Sequence, residues 1–194
     1  MSWGGFSILA AGWASVPVAA AMLLVGWVIY AFNRLVRDRN LLREGWSGID
    51  VQLNRRANLV PSLVEVVRGY ARHESSTLQR VTELRAASQS AGRSGERAHS
   101  ENALADQLRH LLALAESYPD LKANNSFLTL QEQLAEIEDQ LQLARRYYNG
   151  ATRNYNIRVE SFPGNLVAKA LGFGREEFFE LESATQRTAP QVAL

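Results

Sequence analysis

The sequence predicts an all-α protein: a single N-terminal transmembrane helix, then an antiparallel up-and-down four-helix bundle with a short C-terminal amphipathic segment. Three observations predict it. The first charged side chain is Arg34, whereas almost every later stretch of ten residues carries charge. Beyond that point apolar residues recur at spacings of three and four, the period of an amphipathic helix. Only five prolines occur in 194 residues, so few positions break helical hydrogen bonding. The mean hydropathy of −0.19 averages over this split and conceals it. The predicted organisation is a short non-cytoplasmic segment (1–14), a transmembrane helix (15–33), a helical bundle (34–161), an amphipathic segment (162–182) and a flexible tail (183–194).

Residues 15–33 read SVPVAAAMLLVGWVIYAFN. At 1.5 Å per residue they make roughly 28 Å of helix, close to the ~30 Å hydrocarbon core of a bilayer. Ser15 is placed to cap the helix and Pro17 lies in its first turn, where a missing N–H does no harm. Trp13 stands at one end and Trp27, Tyr30 and Phe32 toward the other, in the manner of interfacial aromatic belts. A cleaved signal peptide is the competing reading. Residues 1–14 lack the basic n-region it needs, and a cut near Ala19, Ala20 and Ala21 would fall inside the apolar run. Arg34, Arg37, Arg39 and Arg43 follow the span directly, and the positive-inside rule keeps such a cluster cytoplasmic. The alternative is that they bind anionic headgroups on whichever side they lie. The expected topology is therefore single-pass, with the N-terminus outside and the bundle in the cytoplasm.

Four amphipathic stretches build the bundle. The first carries Leu42, Trp46, Ile49, Leu53, Ala57, Val60, Val64 and Val67, with a break expected at Gly69-Tyr70-Ala71. No strong breaker precedes Gly45, so the anchor helix is expected to run straight into it. Pro61 interrupts this helix as a hinge or, preferably, a static kink. The second carries Leu78, Val81, Leu84 and Ser88 and runs out in the small polar stretch 88–98, read as a loop. The third carries Leu104, Leu108, Leu111 and Ala115 and stops at Tyr118-Pro119. The fourth gives the longest stripe: Phe127, Leu130, Leu134, Ile137, Leu141, Ala144, Tyr148, Ala151, Tyr155 and Phe162. A stripe sustained over that length needs other helices to cover it. Beyond it, residues 165–181 place Leu166, Val167, Ala170 and Leu171 on one helical face. That segment either lies in the headgroup region or folds against the base of the bundle.

Composition excludes several classes of chemistry. Cysteine is absent, which removes disulfides, thiolate metal sites and cysteine nucleophiles. Lys+Arg 21 against Asp+Glu 20 gives a net charge of +1, unlike the basic excess of nucleic-acid binders. Lys122 and Lys169 are the only lysines, an arginine bias with no phosphate-binding pattern beside it. His73-Glu74 is not a zinc motif, because Thr77 stands where the second histidine belongs, and His99 and His110 lack a third ligand. Gly172-Phe173-Gly174 lacks the rest of a dinucleotide fingerprint. Glu132, Glu136, Glu138 and Asp139 read as a solvated helix face. No catalytic residue, metal ligand or cofactor is expected, and no small-molecule substrate.

Polar residues close to the stripes remain: Asp50, Asn54 and Asn58 on the first long helix, and Arg145, Arg146, Tyr148, Asn149, Tyr155 and Asn156 on the fourth. Asparagine forms helices poorly, so several of them within helices imply partners across an interface. They read either as a surface for a ligand or partner, or as a hydrogen-bond seam fixing the register of the two long helices. Trp13, Trp27, Tyr30, Arg34, Arg37 and Arg39 are the candidate membrane-interface residues.

Arg39-Asn40 followed by WSGIDVQLNRRANLVPSLVEVVRGYARHE (46–74) resembles the opening half of the LemA family. YPDLKANNSFLTLQEQLAEIEDQLQLARRYYNGATRNYNIRVESFPGNLVAKALGFGREEFFE (118–180) resembles its closing half. Gly45 stands where the family pattern has alanine, and Ala57-Asn58 replaces a more polar pair. The resemblance implies a bacterial membrane protein with a mostly helical antiparallel domain and no established enzymatic activity. Some members are associated with envelope biology, membrane metalloprotease neighbours or magnetosome membranes. The function expected is a non-enzymatic membrane-anchored scaffold of the cell envelope, partnered by the lipid bilayer and by its own copies or other membrane proteins. The alternative is an accessory subunit of a membrane protease or other membrane enzyme.

Overall fold

The computed structural model describes the backbone of residues 5–71, 73–91 and 94–179, and the side chains among these from residue 16 onward except at 94 and 95. Within them the chain is helical, with six helices and no strand: α1 (Gly5–Tyr70), α2 (Ser75–Ser90), α3 (Ser94–Ala115), α4 (Pro119–Lys122), α5 (Asn125–Glu160) and α6 (Gly164–Ala170). The side chain of Trp13, residues 180–182 and the tail 183–194 lie outside the described residues.

α1 is one uninterrupted helix from the apolar segment into the charged region, as the lack of a breaker before Gly45 predicts. It starts at Gly5, ten residues ahead of the Ser15 cap read from the sequence, so Ser15 and Pro17 lie inside it. The Ala- and Leu-containing stretch before them favours helix strongly enough to absorb the one hydrogen bond that Pro17 removes. Pro61, exposed, is likewise passed without ending the helix. The helix stops at Tyr70, where the Gly69-Tyr70-Ala71 break was expected.

The chain divides into two compact units. One comprises Arg43–Thr152 with residues 177–179. Its core joins Val60, Leu63, Val64 and Val67 of α1 to Leu78, Val81 and Leu84 of α2. Leu104, Leu108 and Leu111 of α3, Leu121 of α4 and Phe127 of α5 complete it. The buried residues of α2 are Leu78, Val81, Leu84 and Ser88, the four that its spacing selects. Of the loop expected over 88–98, residues 88–90 belong to α2, where Ser88 is buried, and residues 94–98 to α3, which already begins at Ser94. Ser and Ala tolerate helix, and buried anchors at both ends hold the two helices to their full length. After α3 the chain makes the single turn α4, with Pro119 at its start, where proline sacrifices no bond. The Asn124 side-chain oxygen then accepts the Phe127 N–H at 3.0 Å and caps α5, while its amide donates to the Tyr70 hydroxyl at 2.9 Å.

The other unit comprises the described residues up to Leu42 together with Arg153–Glu176. Leu35, Tyr155, Val167 and Ala168 are buried in it. α5 ends at Glu160, so Phe162 leaves the stripe on which the sequence places it and is 79% exposed. Pro163 is the reason, since the residue before a proline is disfavoured in the helical region. α6 ends at Ala170, well short of the amphipathic helix expected to reach 181. Gly172 adopts a φ of +72°, and the Phe173 N–H reaches the Ala168 carbonyl at 2.9 Å. That is a glycine-terminated Schellman turn. Residues 173–179 then run without helix.

Candidate functional site

The asparagines of α5 hold main chain. In the larger unit the Asn149 amide donates to the Phe179 carbonyl at 3.2 Å, and its oxygen accepts the Phe179 N–H at 2.9 Å. The neighbouring Tyr148 hydroxyl donates to the Glu177 carbonyl at 3.0 Å. Phe179 is buried, with its ring 5.7 Å edge-on from Trp46, which meets Tyr148 at the same distance. Edge-to-face packing of this kind adds about 0.5–1.5 kcal/mol per pair beyond area burial. In the smaller unit Asn156 repeats the device: its amide donates to the Glu176 carbonyl and its oxygen accepts the Glu176 N–H, both at 2.9 Å. A primary amide has one donor and one acceptor side, which match the N–H and C=O of one extended residue. Asparagine serves here as a substitute strand, satisfying backbone groups that would otherwise be orphaned.

Tyr155 is 1% exposed, and burial raises its hydroxyl above the ordinary tyrosine range. Nearby Arg39 opposes that shift and Glu176 adds to it. Arg39 stacks over the Phe173 ring at 5.8 Å, and Phe173 also meets Phe32 edge-on at 6.0 Å. Arg158 pairs with Asp38, and Arg175 with Glu160 at 2.8 Å. Trp27, Tyr30 and Arg34 share a groove at one end of this unit, and Arg37 is exposed.

The residues of the first helix do not join those of α5. Asp50 accepts the Asn54 amide at 3.0 Å and pairs with Arg97 of α3 at 3.0 Å, while Asn54 and Asn58 are exposed. A seam running between the two long helices through Asp50, Asn54 and Asn58 is therefore absent. Spacing of four aligned these three on one face of α1, but that face turns toward α3 and solvent.

A different charged cluster crosses the larger unit, and sequence reading missed it. Arg56, 2% exposed, reaches Glu138 of α5 at 2.6 Å and Glu101 of α3 at 3.4 Å, while the Ser88 hydroxyl donates to Glu101. Glu138, its side chain 44% exposed, thus sits on the solvated face with Glu132, Glu136 and Asp139 and also partners buried Arg56. Burial pushes the Glu101 carboxyl above the ordinary carboxylate range, against the pull of the Ser88 hydroxyl, Arg56 and Arg97. Arg145 lies nearby with buried Nε and Nη2 atoms that find no acceptor, and burial lowers it from the ordinary arginine range. Arg56, Arg145 and exposed Arg146 line a groove of about 610 Å³ between α3 and α5, with Leu108, Leu112 and Leu134 as its apolar part. The signal available was a pair of fully buried positions, 56 and 101, occupied by opposite charges. Only the fold brings residues 45 apart into contact.

His73, His99 and His110 are all exposed. Among the described residues no three histidine or carboxylate side chains gather as metal ligands.

Among the described residues one helix, α1, is long and apolar enough to cross a membrane, and its large apolar side chains from Val16 through Val25 are exposed. The family model described as "LemA family" matches residues 45–194. The chain is 24% identical over 205 residues to magnetosome protein MamQ 2 of Paramagnetospirillum magneticum, covering 91% of this chain and 75% of that protein. Magnetosome protein MamQ of Magnetospirillum gryphiswaldense is 22% identical over 206 residues, covering 92% and 76%. Protein LemA of Metamycoplasma hominis is 26% identical over 149 residues, covering 76% and 68%. The matched region takes in Trp46, Asn149, Asn156 and Phe179 along with the core of the larger unit, and by it the chain belongs to the LemA family.

Proposed function

We propose that this chain is a non-enzymatic, membrane-anchored helical scaffold of the bacterial cell envelope, acting by self-association or by recruiting a partner to the membrane. The observation that carries the reading is the use made of the α5 polar residues. Tyr148, Asn149 and Asn156 are engaged with the chain's own residues 176–179, which leaves them no open substrate to meet. At the charged cluster the Arg56 guanidinium is likewise engaged, by Glu101 and Glu138. Neither arrangement presents a nucleophile beside a base in an open cleft, the constellation of covalent hydrolysis. The similarity to MamQ and LemA proteins supports the same direction. The arginines that follow the span favour a cytoplasmic helical domain.

Extraction of the full-length chain in mild detergent, followed by affinity capture and native mass spectrometry, tests this. A homogeneous assembly of the chain, or a constant set of non-enzyme partners, is the expected result. A stoichiometric membrane protease or other enzyme in the complex would instead make the chain its accessory subunit. Turnover by the purified chain alone would overturn both readings.

A further inference from the structure

The smaller unit carries a groove of about 360 Å³ where the foot of the span meets the end of α5. Trp27, Tyr30 and Arg34 of α1 line one side, and Ile157, Phe162 and Gly164 the other. Its two cations differ. Arg158 is neutralised by Asp38, whereas Arg34 has no ion pair among the described residues, and its buried Nε finds no acceptor. The apolar rim is costly to leave in water: Phe162 is 79% exposed and Ile157 55%. Trp27 and Tyr30 belong to the last third of the 15–33 apolar run, the depth at which amphipathic rings meet headgroups.

We propose that this groove binds one anionic phospholipid of the surrounding leaflet. The phosphate is held by Arg34, and the first acyl carbons lie against Trp27, Tyr30, Ile157 and Phe162. A guanidinium without a carboxylate partner selects an anion, and its planar fork suits phosphate oxygens. The aromatic and aliphatic walls select an anion that carries a hydrocarbon chain over a free one. A span inserted at this depth also brings lipids to the groove without a diffusional search. Exposed Phe162 then carries the apolar surface of the groove into the interface. The inference rests on insertion of the span, which resistance of the membrane-bound protein to alkaline carbonate reports independently.

The test is native mass spectrometry of the full-length chain in mild detergent, equilibrated with equal amounts of phosphatidylglycerol and phosphatidylcholine. A single phosphatidylglycerol retained in preference to phosphatidylcholine is expected. R34Q should lose that retention by roughly tenfold or more, the loss of a charge-assisted contact. R37Q removes an exposed arginine outside the groove and should leave retention unchanged, and R34K should restore part of it. Phe162→Ser, at a position too exposed to disturb folding, should weaken retention with the charge intact. Equal loss in R34Q and R37Q would show diffuse attraction to a basic collar and overturn the site. So would retention of both lipids alike, or displacement of the lipid by inorganic phosphate.

Discussion

An asparagine inside a helix costs helical propensity, so its side chain must return something the helix cannot supply. Asn149 and Asn156 return two hydrogen bonds each, to the N–H and C=O of Phe179 and of Glu176. Replacing either by alanine leaves a backbone donor and acceptor without partners, so each variant should lose about 1–3 kcal/mol. Amide hydrogen exchange reads the cause directly. The Phe179 amide should lose protection in N149A and the Glu176 amide in N156A, and rapid exchange of both in the unaltered protein would refute the clamp. Gly45 is explained on the same scale. A Cβ there would stand 3.0 Å from the Tyr148 Cα and 3.0 Å from the Tyr147 ring, so α1 and α5 approach too closely for the family's alanine. Gly45→Ala should therefore destabilise by about 1–3 kcal/mol, measured by thermal unfolding, unless the two tyrosines move aside. Glu101 supplies a pH signature. Its carboxyl is raised by burial, so its contribution to stability is fully present below the unfolded pKa of about 4.3 and is lost as pH rises through the folded value. The stability of the unaltered protein relative to E101Q should fall as pH climbs above about 4.3, and a difference that stays flat or rises would contradict that environment.

Among the elements, the long helices follow from apolar spacing alone, because a stripe that must be covered leaves little freedom in where it faces. Ile137 and Leu141 are buried where the α5 period puts them, and Leu104, Leu108 and Leu111 repeat the agreement in α3. Leu141→Ala should cost about 2–5 kcal/mol in thermal unfolding, the range for large-to-small changes in a packed core. A loss below about 0.5 kcal/mol would mean that this stretch of α5 awaits a partner instead of facing its own core. What spacing could not locate were the ends. The chain leaves α6 because Gly172 turns left-handed, and that single residue stops the helix expected to reach 181. With Gly172 as a helix stop, the pair Asn149 and Asn156 is a matching clue in the sequence. Positions seven apart on a helix and three apart on an extended chain, such as 176 and 179, each span about 10 Å. The pairing of Arg56 with Glu101 and Glu138 was not legible in that way, since it depends on contacts between residues 45 and 82 apart.

For the molecule as a whole, the division between an uncharged opening and a charged remainder is the most legible feature of the sequence, because a bilayer tolerates few alternatives. The polar site was legible in part. Tyr148, Asn149, Tyr155 and Asn156 were singled out by residue type, but their partner on the chain, residues 176–179, was not. Asp50, Asn54 and Asn58 were grouped with them by spacing and belong elsewhere. The central claim is that one continuous helix is both the membrane anchor and the first helix of the folded domain, so anchor and domain stay joined in the working protein. Intact-mass analysis of the chain purified from carbonate-washed membranes tests it most directly. Membrane-bound polypeptide that still contains residues 15–33 is the expected result, and a mature chain that starts after Ala21, released by the wash, would contradict it.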